Sequence, residues 1–168
     1  MDLLDLIEQR RFLGGEFLTW LWFSCDTDGG DFDLPEMGNV GVSFDDQLVL
    51  ESFLAESEQS RLSGASPIHS PEAKTALKAG KRISKAKLRI LKDDREWVFV
   101  VSAPDFTFSS VKVPAVLKEE DERLLERVSL VDELSEIWIG LYRKFLGLRL
   151  SDQWNNLEEA FGAWSAEG

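Results

Sequence analysis

Few side chains in this sequence combine the right type and spacing to act on a ligand. His69 is the only histidine and Cys25 the only cysteine. His69 sits in a loop-like stretch beside Pro67, with no Ser or Cys at a spacing that would make it a general base for a nucleophile. Cys25 follows an apolar segment and reads as a small hydrophobe, not a nucleophile. One Cys and one His cannot assemble a zinc ligand set. Asp26, Asp28, Asp31 and Asp33 alternate as cation ligands can, but no closing Glu stands at the distance a calcium loop requires, so a solvated loop is expected. The glycine pairs lack the spacing of a phosphate-cradling loop. These residues predict a protein that is not an enzyme and that uses no metal or cofactor.

The remaining chemistry is electrostatic. Residues 74–92, KTALKAGKRISKAKLRILK, hold eight Lys or Arg and no Asp or Glu, in a chain whose formal charge is -12. The segments 1–70, 71–118 and 119–168 carry net charges of -11, +6 and -7. A cationic segment between two acidic ones attracts anions at one surface while the others repel them. If 82–92 is a strand, Lys85, Lys87 and Arg89 share one face, with Ala86, Leu88 and Ile90 on the other. Alternate cations then stand about 7 Å apart, close to the spacing of phosphates along a nucleic-acid strand. The candidate nucleic-acid contacts are Lys74, Lys78, Lys81, Arg82, Lys85, Lys87, Arg89 and Lys92. The plainer alternative is a solvated strand face whose lysines oppose edge-to-edge aggregation. Another is neutralisation by the chain's own acidic segments.

The elements that position these residues follow from periodicity. Residues 2–11 suit a helix, and Gly14-Gly15 suggest a break before a second, almost wholly apolar helix from Glu16 to Ser24. Residues 26–39 look like loop. Residues 40–52 suggest a β-hairpin turning at Asp45-Asp46. A short strand is expected near 59–63. Ser70-Pro71-Glu72 opens a short helix over 71–79 that stops at Gly80. Residues 82–92 and 96–103 form a hairpin around Asp93-Asp94-Arg95, and 106–114 add a strand.

A long helix over 119–149 carries Leu124, Val128, Val131, Leu134, Trp138, Leu141 and Phe145 at spacings of three and four. Ser151 caps a last helix with Trp154, Leu157, Phe161 and Trp164 on one face. The result is a single α+β domain over 1–168. It is helical over 1–25, mostly antiparallel β over 32–113 and helical again over 119–164. The opening Met-Asp-Leu-Leu-Asp has no basic region and no apolar stretch reaches the ~20 residues of a membrane span, so a cytoplasmic protein with no membrane contact is expected.

Read in order, LTWLWFS, an acidic strand region, SPEAKTALKAGKRISKAKLRIL and WVFVVSAPDFTFSSVKVP resemble the C-terminal half of the recombination-associated protein RdgC family. The shared features are the Thr19-Trp20 segment, a short helix ending in Ala79-Gly80-Lys81, a strand with Ile83 two places on, a strand bearing Lys112, and a long terminal helix. The likeness spans nearly the whole chain and about half of a family member. It implies a non-enzymatic, nucleoid-associated protein that clamps double-stranded DNA without sequence preference and limits RecA access. It also implies a ring-like dimer, so a homo-dimer or a separately encoded chain supplying the other half is the expected partner. Only Lys81 and the cations after it carry over from the family pattern. In the loop before the short helix, Arg61 is the only base.

The alternative is a protein–protein interaction module. Its basic strand would dock an acidic partner, and Phe17, Trp20, Trp22, Trp138 and Trp164 would supply an aromatic interface. Against a stacking role for Phe17, Trp20, Trp22 and Phe23 stands their mixture with leucines, which is that of a buried helix.

Overall fold

The structure is a computed structural model that describes residues 3–51, 59–63, 71–103, 105–115 and 119–166. His69 and Ser70 lie outside the described residues. Helix α1 (Leu3–Asp28) is followed by strands β1 (Asp31–Leu34), β2 (Gly38–Glu51) and β3 (Gln59–Ser63), and by helix α2 (Pro71–Lys78). Strands β4 (Arg82–Lys92), β5 (Arg95–Ser102) and β6 (Thr107–Lys112) come next, and helices α3 (Glu120–Arg149) and α4 (Trp154–Ala166) close the chain. The strands form one antiparallel sheet in the order β1-β2-β4-β5-β6. β3 pairs with the far end of β2, on the edge that β1 also uses. This is the expected α+β class. No helix among the described residues is long and apolar enough to cross a membrane.

Three local expectations are corrected. Gly14-Gly15 do not break α1, which runs through them as one 26-residue helix. Both glycines are buried, so packing overrides a helix penalty of about 1 kcal/mol each. Asp45-Asp46 do not turn a hairpin. β2 is one 14-residue strand, and the two aspartates lie in an irregularity where its register against β4 shifts between Phe44 and Leu48. An extra residue in one strand breaks the alternation without reversing the chain. Finally, 26–39 is not loop throughout. It holds the end of α1 and all of β1, whose Phe32 and Leu34 are buried while Asp31 and Asp33 face out.

Elsewhere the local chemistry acts as expected. α2 ends in a Schellman motif: Lys81 N–H donates to Ala76 O and Gly80 N–H to Leu77 O, both at 3.0 Å. Gly80 supplies the left-handed φ of +88° that this motif needs. β4 and β5 form the hairpin, turning at Asp93-Asp94. Ser151 is the expected cap of the last helix, but α4 begins only at Trp154; the Ser151 hydroxyl accepts from Gln153 N–H at 3.3 Å within the turn that precedes it.

The core is aromatic. Trp138 of α3 lies 5.1 Å from Phe17 of α1, 5.7 Å from Phe99 of β5 and 5.4 Å from Phe108 of β6, edge to face in each case. Such pairs add about 0.5–1.5 kcal/mol each beyond burial. α4 joins through Trp164, 5.0 Å from Trp22. Phe17, Trp20, Trp22, Trp138 and Trp164 are therefore all buried in the chain's own core, which corrects their assignment to a partner interface.

α3 departs from its expected face. Its second half is buried through Leu134, Ile137, Trp138, Leu141 and Phe145. Its first half leaves Leu124 73%, Val128 50% and Val131 44% exposed. Among the described residues, no element covers the periodic apolar side chains there.

Phe17→Ala should lower the unfolding free energy by about 3–5 kcal/mol, the range for removing a fully buried phenylalanine. Urea unfolding followed by tryptophan fluorescence measures it, and a loss below about 1 kcal/mol would contradict the central place given to this ring.

Candidate nucleic-acid interface

Position on the sheet decides what each cation can do. α1, α2 and α3 pack on one face, with Leu88, Ile90, Trp97 and Phe99 beneath, and α4 packs over α1 and α2 on the same side. The opposite face carries no described helix. Antiparallel sheets commonly leave one face to solvent.

Lys85, Lys87 and Arg89 alternate along β4 on that helix-free face, as strand geometry requires. In register across the sheet, Arg89 stands opposite Val98, and Val98 opposite Lys112 of β6. Lys85 and Lys112 are exposed. The row begins where Thr19 of α1 anchors β4. The Thr19 hydroxyl accepts from Ile83 N–H at 3.1 Å and donates to Gly15 O at 2.7 Å, both buried. This bond lies beside the second register shift of β2 against β4, between Val49 and Leu50. Ile83 and Ser84 are both buried there, and the regular alternation that sends Lys85, Lys87 and Arg89 outward starts after them.

Carboxylates meet most of this charge. Lys87 pairs with Asp46 at 3.3 Å, and Arg89 with Asp45 at 3.2 Å and with Glu96. The expected acidic neutralisation is therefore present, and it comes from the bulged centre of β2. Sequence reading assigned those aspartates to a turn and so missed them as the partners of the cation row.

The other candidates divide. Lys74 lies on the helical side, its ammonium 3.4 Å from the Trp164 ring centre and donating to Trp164 O at 2.9 Å. Arg82 also turns to that side, its guanidinium 5.2 Å from the Phe161 ring. Burial pulls the Arg82 pKa below its ordinary value, and the nearby Glu16 charge opposes that shift. Lys92 bonds Glu133 of α3 at 3.1 Å, and Arg95 joins the same carboxylate. Lys74 thus joins α2 to α4, while Arg82 and Lys92 tie β4 to α4 and α3. Lys78 is exposed and Lys81 half-buried, at the end of α2 where the chain enters β4.

Chemistry elsewhere is sparse. A cleft of about 80 Å³ between α1 and α4 is lined by Glu16, Trp20, Arg82, Trp154, Glu158 and Phe161. Arg149 pairs with Glu16 at 3.0 Å and lies 5.2 Å from the Trp154 ring. The cleft's charges are thus met from within the chain. Among the described residues no group of three or more His, Cys, Asp or Glu could hold a metal ion. The Cys25 thiol donates to Val42 O at 3.1 Å. Burial first, and the adjacent Asp26 charge second, push its pKa up to about 12.

The sequence matches no known family model, and no curated protein matches it significantly.

Cys25 should resist a thiol-specific disulfide reagent near about pH 8, reacting roughly a hundredfold slower in the native protein than in urea. An unfolded thiol ionises near 9.0 and the folded one near about 12. Its contribution to stability is therefore complete below 9.0 and is lost as pH rises from there through about 12. Equal reactivity in the native and unfolded protein would contradict the burial.

Proposed function

We propose that this chain is a non-enzymatic protein that associates with double-stranded DNA without sequence preference, as its resemblance to the RdgC family implies, and that the phosphate backbone lies along the helix-free face of the sheet. The observation that supports this reading is the row of Lys85, Lys87 and Arg89, extended by Lys112, on a sheet face that no described helix covers. Lys81 and Lys78 stand at the end where the row begins.

The internal ion pairs shape how such a face would work. A duplex must compete with Asp45 and Asp46 for Arg89 and Lys87. These pairs are partly exposed and individually weak, worth at most about 1 kcal/mol. Duplex DNA carries a charge every ~1.7 Å and releases condensed counterions when cations engage it. That polyanion can displace single carboxylates. An acidic protein of ordinary charge density has less to offer in the same exchange, which favours DNA over an acidic protein partner. The same carboxylates repel phosphate when the cations are screened, so binding on this face is weak and steeply salt-dependent. Occupying duplex in this way would restrict the access of a recombinase such as RecA.

The test is fluorescence anisotropy of a labelled duplex of roughly 30 bp, long enough to span the face, at low salt. Replacing Lys85, Lys87 and Arg89 together by Glu should weaken binding by about tenfold or more. Asp45→Asn with Asp46→Asn, which keeps shape and removes the competing charge, should tighten it by about threefold or more. Circular dichroism checks that both variants fold. Unchanged affinity in the triple variant would remove this face from the proposal.

A further inference from the structure

Among the described residues, nothing covers the apolar surface of the first half of α3. Leu124 is 73% exposed, Leu125 71%, Val128 50% and Val131 44%. No residue of α3 before Leu130 is buried. The bare stripe runs through positions 124, 128, 131 and 135, roughly 100° round the helix from the face that packs on the sheet. This segment is already ordered, because the half of α3 beyond it is locked in the core and Trp97 Nε1 donates to Leu130 O at 3.0 Å. A partner would therefore meet a formed helix and pay little ordering entropy.

Spacings of four, three and four are those of a coiled-coil seam. Leu124 and Val131 then take the d positions and Val128 and Ser135 the a positions. The flanking g and e positions are Arg127 and Asp132. Both are exposed, and neither has an ion pair among the described residues. In a parallel, in-register pair the g residue of one helix faces the e residue five places on in the other. Arg127 of each copy therefore meets Asp132 of its partner, twice over by symmetry. An antiparallel pair that keeps the same apolar layers brings Arg127 towards its own copy instead. The next seam position, Trp138, is buried in the chain's own core, so the pairing ends near Ser135 and leaves the two sheets splayed apart.

From the apolar stripe and this self-complementary charge pattern, we infer that the first half of α3 is a docking surface for a second copy of the same chain, joined as a short parallel two-stranded coiled coil about Leu124, Val128 and Val131. The surface is distinct from the cationic sheet face, and its test needs no DNA.

Sedimentation velocity of the full chain at micromolar concentrations should show a dimer. Val128→Glu should give a monomer with an unchanged unfolding midpoint measured at high dilution. Arg127→Asp places two acids opposite each other and should weaken the dimer several-fold. Adding Asp132→Arg should restore it. With Cys25→Ser in the background, Val128→Cys should cross-link to its own copy on mild oxidation, whereas Ser129→Cys, on the outer side of the helix, should not. A wild-type monomer, or a dimer indifferent to Val128→Glu, would overturn the assignment. Failure of the charge swap to restore the dimer would overturn the parallel register.

Discussion

The contact between Phe17 and Trp138 is the constraint on which the rest of the molecule depends. It joins the first helix to the third, and through Phe99 and Phe108 it seats both on the sheet. Burying so many large rings on one side has a consequence for the other. The apolar residues of α1 and α3 are used against the inward face of β4, β5 and β6, and no described helix remains to cover the outward one. The two-layer arrangement thus separates an aromatic interior from a polar sheet surface, and the strand bearing most of the cations lies in the middle of the sheet.

That central strand is positioned by a bond that looks minor. The Thr19 hydroxyl receives the Ile83 amide next to the irregular stretch of β2. A separate register shift of the same strand pair, between Phe44 and Leu48, holds Asp45 and Asp46 against Arg89 and Lys87. Cation row and anion row thus face each other along one strand pair, β2 with β4, that is irregular at two places. The strongly acidic composition and the concentrated basic segment meet here in a set of partly exposed pairs. Such pairs contribute little stability and are available to a competing polyanion. Glu133 plays a different part. It is half-buried, bonds both Lys92 and Arg95, and ties α3 to the β4–β5 turn.

Much of this was legible in the sequence where local chemistry and tertiary packing agree. The alternation in 82–92 marked β4, the Asp93-Asp94 pair marked its turn, and Gly80 marked the end of α2. The strand at 59–63 and the long third helix were also visible. The misses have a common cause, because each is a place where packing overrode a local signal. Gly14-Gly15 are punctuators in isolation but close-packed positions inside α1. Asp45-Asp46 favour a turn, yet β2 pairs with β4 before them at Phe44 and after them at Leu48 and runs on through. Leu124 and Val128 carry core periodicity although no described element covers them. The cations divide for the same reason. Composition counts eight, but only the fold shows that Lys74, Arg82 and Lys92 serve the helices while Lys85, Lys87 and Arg89 face outward.

The central claim concerns what the outward face does, and the salt dependence of duplex binding by the unaltered chain tests it most directly. With about three cations engaging phosphate, a plot of log affinity against log salt should fall with a slope of about -3. Detectable binding at low salt with that slope is the predicted result. No binding at low salt, or binding that does not respond to salt, would contradict the assignment of this face to nucleic acid.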